Sequence, residues 1–263
     1  MTFQLPIQDH ALEHISEEEA LRIEDTLWWL RGRKAIIKRY MVRAAARGQS
    51  CQSPTIMDIG CGSGGNLGVL ADFGRVIGVE PSETLAHRAR KRCIAEAIFS
   101  QDVRDLNECH EVDIFTMFDV LEHIKHDSEF LGQLRDKAAH PHYLLISVPA
   151  CQFMFGDHDR LLHHHRRYSS KMLRQALEEA GYRVREMSYF MFLLFPLALL
   201  ARMKDRFMAM LGRKRATVEL GDLPHYLGTL FSLTLRIEAL VSKKMRFPVG
   251  LWLFALAASP DDR

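Results

Sequence analysis

The chain has 263 residues, 48% of them hydrophobic and 26% charged, and a formal net charge of +2. That length buries a substantial core and predicts one domain with additions, while the near-neutral charge excludes the strongly basic balance of a general nucleic-acid binder, so no nucleic-acid partner is expected. The N-terminus, Met1-Thr2-Phe3-Gln4-Leu5-Pro6, lacks a basic-then-apolar signal pattern, no run of about 18 apolar residues predicts a spanning helix, and five cysteines (Cys51, Cys61, Cys93, Cys109, Cys151) without a C-x-x-C pair read as reduced thiols of a cytoplasmic protein.

Residues 11–46 predict helix, with Ile15, Leu21, Leu27, Leu30, Ile36, Ile37, Tyr40 and Met41 at helical spacing among charges and Ser16 with Glu19 as a capping box. Within it, Trp28-Trp29-Leu30-Arg31-Gly32-Arg33 has two readings: aromatics that pack the helix onto the main domain, or a lid in which Trp29 touches a bound ligand. The next stretch organises the chain. Thr55-Ile56-Met57-Asp58-Ile59 is a short apolar strand carrying an acid, Gly60-Cys61-Gly62-Ser63-Gly64-Gly65 is a turn, and Leu67-Gly68-Val69-Leu70 opens a helix. Glycine permits positive φ and close approach of a ligand to the backbone, and a helix N-terminus offers free N–H groups. Gly60, Gly62 and Gly65 satisfy a dinucleotide fingerprint, with Glu80 about 20 residues on. Gly60, Gly62 and Gly64 equally satisfy D-x-G-x-G-x-G, and Asp58 breaks the tie, since a carboxylate there suits a ligand with a cationic amino-acid end and repels a pyrophosphate.

This stretch resembles the first motif of class I S-adenosylmethionine (SAM) methyltransferases. The resemblance implies SAM as cofactor, with contacts from Asp58, Gly60, Cys61, Gly62 and Gly64. Val76-Ile77-Gly78-Val79 predicts the second strand, and Glu80 at its end would accept both ribose hydroxyls, as a carboxylate does well. The competing role is a helix-capping acid ahead of Pro81 and Ser82. Ala97–Ser100 predicts a third strand. Asp102 after it fits the adenine amine and the Val103 N–H a ring nitrogen, although an acid there also reads as an ordinary turn residue. Val112–Phe118 predicts the fourth strand, and Asp119-Val120-Leu121-Glu122-His123-Ile124 follows it. That segment resembles the ubiquinone-biosynthesis O-methyltransferases and their relatives, which implies backbone contact with the methionine end of SAM at Phe118 and an acid and a histidine beside the acceptor. Glu122 and His123 are adjacent and are expected to diverge on a helix. His123 is the candidate general base, its ordinary pKa lying close to working pH; equally, Glu122-His123 opens a helix with the acid facing the dipole.

Tyr143–Pro149 predicts the fifth strand. Phe155-Gly156-Asp157-His158-Asp159-Arg160-Leu161-Leu162-His163-His164-His165-Arg166-Arg167-Tyr168-Ser169 then resembles an H-D-x-x-x-G-H-x-R-R-Y-[ST] segment of the same methyltransferase branch, with His163 standing where that pattern has glycine. Three readings compete. Arg166 and Arg167 could clamp an acceptor carboxylate or phosphate, with His158 and Tyr168 alongside and His164 as a second candidate base. The segment could be a structural loop, with Arg166 paired to an acid such as Asp159. A metal site would draw on His158, Asp159 and the histidine run, but consecutive histidines point apart and no second ligand pair is evident, so no metal is expected. The W-W-L-R-G-R stretch likewise resembles an H-W-W-F-R-G-R segment of that branch, with Leu27 in the histidine's place.

Ser169 or Ser170 caps a helix that ends at Gly181, and Tyr182–Met187 alternates as a strand. Tyr189–Ala201 is unbroken apolar and is followed by Arg202, Lys204, Arg206, Arg213, Lys214 and Arg215. It reads as core roofing the acceptor pocket, or as a peripheral membrane contact through residues 189–215. An amphipathic helix follows over 227–240, and Phe247–Ala257 resembles the last, antiparallel strand of the methyltransferase sheet. The predicted fold is α/β: a doubly wound, seven-stranded, mostly parallel sheet of the Rossmann-like methyltransferase type. An N-terminal helical segment (1–54) precedes the SAM-binding core (55–192), a helical insertion (193–245) and the final strand and tail (246–263). The implied function is methyl transfer from SAM to a small-molecule or lipid- or sugar-type acceptor at oxygen. A nicotinamide-dependent oxidoreductase on the same glycine turn and a non-catalytic SAM-binding module are the alternatives.

Overall fold

The computed structural model describes residues 28–46, 53–106, 109, 111–210, 225–242 and 244–260. Seven strands, β1 (Thr55–Ile59), β2 (Arg75–Val79), β3 (Ala97–Phe99), β4 (Ile114–Phe118), β5 (Tyr143–Pro149), β6 (Arg183–Phe190) and β7 (Trp252–Ala258), form one sheet in the order β3-β2-β1-β4-β5-β7-β6. Strands β3 to β5 pair in parallel, while β7 runs antiparallel to both neighbours, β5 and β6. The chain winds outward from β1 to β3, then returns to β4 on the other side of β1. The carboxyl ends of β1 and β4 therefore flank the crevice where open α/β sheets bind ligands.

Side-chain alternation sends the two faces of each strand into separate cores. Met57, Ile59, Phe115 and Met117 pack with Leu131 and Leu134 of α4 (Asp127–Lys137) and with Leu173 and Leu177 of α6 (Ser170–Glu179), which follows the short α5 (Asp157–Leu161). Ile56, Ile114 and Leu145 pack on the opposite face with Ile36, Ile37 and Tyr40 of α1 (Trp28–Ala45), Leu67 of α2 (Leu67–Ala71) and Leu235 of α8 (His225–Val241). Asp58 lies between Ile56 and Gly60 on the face that α1 covers, opposite Thr116 in the register of β1 on β4. Helix α3 (Glu83–Lys91) starts at Ser82, whose Oγ accepts from the Leu85 N–H at 3.4 Å, as a capping serine does.

Helices α1 and α8 cross closely because Gly32 has no side chain: a Cβ there would lie 2.4 Å from Leu235 Cδ1. Trp28 packs edge-on against Phe231, with ring centroids 5.2 Å apart. Arg39 and Arg43 both pair with Glu186 of β6, and Arg39 also donates to the Ser242 carbonyl at 2.6 Å, so α1, β6 and the end of α8 are locked together.

Three expectations change. Leu121–His123 is a 3₁₀ turn rather than the start of an α-helix. The apolar run 189–201 is split: Tyr189 and Phe190 complete β6, Met191 adopts φ +62°, and Phe195 begins α7 (Phe195–Met210). Phe190, Met191 and Phe195 are buried, but Leu197, Leu200, Met203, Phe207 and Met210 form an exposed stripe, 55% to 85% accessible, so the core reading fails for the outer face of α7. Among the described residues no helix is long and apolar enough to cross a membrane. Ser16, Glu19 and the 211–215 end of the basic segment lie outside the described residues.

Gly250 and Gly132 test this packing in opposite directions. A Cβ at Gly250 would sit 2.3 Å from the Phe190 carbonyl oxygen, whereas one at Gly132, inside α4, meets nothing within 4 Å. Urea denaturation is expected to show Gly250→Ala destabilised by about 1–3 kcal/mol through overpacking and Gly132→Ala stabilised by about 0.5–1 kcal/mol through helix propensity.

Candidate active site

The site begins with a buried carboxylate. Asp58 is 1% exposed; one oxygen accepts from Thr116 Oγ1 at 2.6 Å and the other, Oδ2, is buried without a hydrogen bond. Burial pushes its pKa up to about 7, against the Thr116 hydrogen bond and the charge of Arg33. An unmatched buried acceptor of this kind suits a cationic ligand group. The turn above it is open. Gly60, Gly62 and Gly64 have φ of +69°, +56° and +84°. A Cβ at Gly60 would lie 2.5 Å from Val120 Cγ2, and one at Gly62 would project into empty space. Glu80, fully buried at the end of β2, accepts from the Gly62 N–H and the Ser82 N–H, each at 2.9 Å. Both carboxylate oxygens are thereby oriented by backbone donors. A cleft lined by Ile59, Gly60, Val79, Pro81, Asp102, Val103 and Val120 continues from this point.

Two predicted contacts are arranged differently from the simplest expectation. The Cys61 N–H donates to the Val79 carbonyl at 3.1 Å and its side chain packs inward beneath the turn, with the thiol pKa pushed up by burial. Asp102 lines the cleft, yet its oxygens accept from the Arg104 backbone N–H at 2.9 Å and from the Arg104 guanidinium at 2.9 and 2.6 Å, which is the turn-residue role.

Helix α1 reaches the crevice through Arg33. Its Nη1 meets Asp119 Oδ2 at 2.5 Å, its Nη2 donates to Ser147 Oγ at 3.2 Å, and its guanidinium lies 5.5 Å from the Phe118 ring centroid. Asp119 has φ +58° and also accepts from the Trp252 indole N–H at 2.9 Å. Trp29 stacks on Trp252 at 6.1 Å. Helix α1, the ends of β4 and β5, and β7 thus converge on one side of the glycine turn.

Immediately beyond Val120 lies a second group. Glu122 is fully buried with neither carboxylate oxygen hydrogen-bonded, and His123 is 4% exposed with Nε2 unsatisfied. His164 reaches them from the loop after β5: its Nδ1 is 3.0 Å from Asp159 Oδ1, its Nε2 4.0 Å from Glu122 Oε1, and its ring stands edge-on to His123 at 4.7 Å. Glu122 and His123 therefore do not diverge as expected, because the 3₁₀ turn and the length of the glutamate chain bring both ends to His164. Burial, reinforced by the neighbouring histidines, pushes the His123 pKa down to about 3, so this imidazole is neutral at working pH and a weak base. Burial and Asp119 push the Glu122 carboxyl well up.

The rest of the histidine-rich segment holds this arrangement in place. Burial opposes ionisation of Asp159, but His164, Arg167 and the Gly156 N–H keep its carboxyl well below the usual carboxylate range. Arg167 Nε donates to Asp159 at 2.7 Å; Arg166 donates to Asp127 at 2.9 Å and to the Lys125 carbonyl at 2.6 Å; the Tyr168 hydroxyl donates to Asp127 at 2.7 Å. Of the three readings of this segment the geometry matches the structural loop, with Arg166 and Arg167 paired internally and with Asp127, not Asp159, as the partner of Arg166. Tyr168 is 1% exposed and its pKa is raised by burial, then by Asp127. His163 adopts φ +55°, the left-handed turn that the resembled pattern fills with glycine. The side chain of His158 lies outside the described residues.

Residue reasoning alone did not single out Arg33, Thr116, Asp127 or Trp252 for the site. Arg33 carried a signal, falling one helical turn after Trp29, whereas Trp252 is 133 residues from Asp119 and carried none.

The raised pKa of Asp58 gives a signed expectation. Its carboxyl is penalised when ionised, so its contribution to the stability of the ligand-free chain is fully present below the unfolded value near 4 and is lost as pH rises through about 7. Asp58→Asn is expected to gain stability relative to the parent progressively between about pH 4 and pH 7, measured by denaturant unfolding at each pH. A difference independent of pH would contradict the burial argument.

A family model described as a methyltransferase domain matches residues 29–187. No curated protein matches the chain. Among solved structures, a chain from a Haloferax volcanii complex of the Trm112 methyltransferase activator with a methyltransferase aligns with a TM-score of 0.58 at 19% identity, covering 98% of both chains. A SAM-dependent methyltransferase from Archaeoglobus fulgidus aligns at 0.51 and 16% identity, covering 86% of this chain and 94% of the other. Phosphoethanolamine N-methyltransferase 2 of Haemonchus contortus, in complex with SAM, aligns at 0.58 and 15% identity, covering 98% and 60%. With the family model spanning more than half its length, and with the glycine turn and the buried Asp58 and Glu80 in place, the chain belongs to the methyltransferase-domain family and is a class I SAM-dependent methyltransferase.

Proposed function

We propose that the chain methylates a hydroxyl group of a small-molecule or lipid- or sugar-type acceptor, and that the hydroxyl is activated at the cluster of Glu122, His123, His164 and Asp159. The single observation behind this reading is the set of buried polar atoms without hydrogen bonds, both oxygens of Glu122 and Nε2 of His123, directly after the strand that flanks the cofactor crevice. Unsatisfied polar atoms are costly in a protein interior. Three of them at one point are best explained by a group that arrives from outside.

When bound, SAM supplies an electrophilic methyl group on a sulfonium. The chain's own residues do the rest. Asp58 Oδ2 is the acceptor for the cofactor's ammonium group and Glu80 for its ribose hydroxyls, while the 60–64 turn lets the cofactor lie against the backbone. Arg33, Asp119, Trp29 and Trp252 close the α1 side and exclude water, which aids alignment of acceptor and methyl. His164, oriented by Asp159, presents Nε2 toward the acceptor. His123, neutral at working pH, serves as a ligating or hydrogen-bonding imidazole and not as the base. The exposed stripe on α7 favours lipid-linked acceptors delivered at a bilayer surface over freely soluble ones.

The test is transfer of labelled methyl from SAM to a panel of sugar, phenol and lipid-linked hydroxyl compounds, with amines and carboxylates alongside. Hydroxyl acceptors are expected to be methylated, and His164→Ala to lower kcat by about 10²–10⁴-fold while the SAM dissociation constant stays the same. Transfer confined to nitrogen, or a rate indifferent to His164→Ala, would contradict the reading.

A further inference from the structure

Glu122, His123 and His164 each offer one ligand atom, and the three atoms lie within 4.8 Å of one another. Resting on the oxygen-methylation reading, we infer that these three side chains form a binding site for one divalent first-row transition ion of the zinc type, beside the methyl-transfer crevice.

Four features point to an ion at this spot. First, the donors are unspent. Both Glu122 oxygens and His123 Nε2 are buried and lack hydrogen bonds. Second, the spacing fits a guest. His164 Nε2 stands 4.0 Å from Glu122 Oε1, too far for a hydrogen bond. Ligands around one tetrahedral zinc ion, with bonds of about 2.0–2.2 Å, stand about 3.4 Å apart, so side-chain adjustment alone closes the site. Third, His164 is held as a metal-binding imidazole is held. Its Nδ1 is hydrogen-bonded to Asp159 at 3.0 Å, and Asp159 is anchored by Arg167 and by the Gly156 N–H. A carboxylate behind the histidine fixes the tautomer that presents Nε2 forward. Fourth, two imidazoles and one carboxylate are the donor set of catalytic zinc sites, which keep a further position open, and imidazole donors select against magnesium and calcium. That open position would take the acceptor oxygen, and with the ion bound the oxygen's activation would come from the ion, His164 Nε2 then serving as a ligand and not as the base.

This site differs from the sequence-level candidate, which drew on His158, Asp159 and the histidine run. Asp159 orients a ligand and is not one, and His163 and His165 are exposed. The competing occupant is a water molecule hydrogen-bonded to the three donors.

The experiment uses the full chain, stripped with a chelator, saturated with S-adenosylhomocysteine and titrated with Zn²⁺ by calorimetry. Co²⁺ substitution gives an independent visible absorption readout. One ion per chain is expected, with Glu122→Gln and His123→Gln each weakening Zn²⁺ binding at least 100-fold and Asp159→Asn weakening it about 10–100-fold. His165→Ala is expected to leave the affinity unchanged. Glu122→Gln is also expected to abolish the rise in melting temperature that Zn²⁺ produces in the parent chain. Should a variant lose S-adenosylhomocysteine binding and so prove misfolded, the Co²⁺ spectrum of the parent chain decides: bands of a four- or five-coordinate nitrogen and oxygen site support the proposal, and their absence overturns it. Failure of Zn²⁺ to bind stoichiometrically, or loss of binding in His165→Ala with none in Glu122→Gln, overturns it as well. Hydroxyl methylation by a chain that binds no Zn²⁺ would overturn the ion site and keep the oxygen reading. Stoichiometric Zn²⁺ with transfer to nitrogen alone would do the reverse.

Discussion

The contact between Arg33 and Asp119 is the constraint on which the site depends. It joins the helix that precedes the sheet to the loop at the carboxyl end of β4, and it draws in Ser147 from β5 and Trp252 from β7. Asp119 sits in a left-handed conformation that a non-glycine residue adopts only when its surroundings hold it there. Here three polar partners supply that hold. Arg33 also lowers the cost of ionising Asp58 and bears on Glu122. One guanidinium therefore influences both the cofactor carboxylate and the acceptor-side carboxylate. A salt bridge this enclosed contributes little net stability, since desolvation offsets the attraction, but removing one partner strands the other charge.

The two halves of the site differ in how their polar groups are satisfied. On the cofactor side most groups are already paired: Glu80 by two backbone N–H groups, Asp102 by Arg104, and Asp58 on one oxygen by Thr116. Asp58 Oδ2 is left over, and it is an acceptor placed for a cation. On the acceptor side the support is complete and the centre is not. Asp127 and Asp159 absorb Arg166, Arg167, Tyr168 and the back of His164, while Glu122 and His123 remain unsatisfied. A rigid, fully paired frame around unpaired donors is how a protein preorganises polar groups for a ligand.

Much of this was legible in the sequence, for a physical reason. Strands β1 to β5, the glycine turn and the helices between them are specified by local periodicity and turn chemistry. Asp58, Gly60, Gly62 and Glu80 lie within one strand-turn-helix unit and the strand that follows. The pairings that defeated sequence reasoning are long-range. Arg166 meets Asp127 across 39 residues, and Trp252 meets Asp119 across 133. Adjacent Glu122 and His123 look divergent only if the backbone there is an α-helix, and its true state, a 3₁₀ turn, depends on the loop that packs against it. The apolar run at 189–201 read as core because composition does not reveal that one face of a helix is left uncovered.

Methyl transfer at this site requires that the cofactor's methyl group and the Glu122–His123–His164 cluster face one shared space. A crystal structure of the chain with S-adenosylhomocysteine tests it most directly. The ligand's ammonium group is expected on Asp58 Oδ2, its ribose hydroxyls on Glu80, and its sulfur directed past Gly60 and Val120 toward the cluster. A sulfur directed away from Glu122 and His123, or a wall of side chains between them, would contradict it and leave the cluster without a part in methyl transfer.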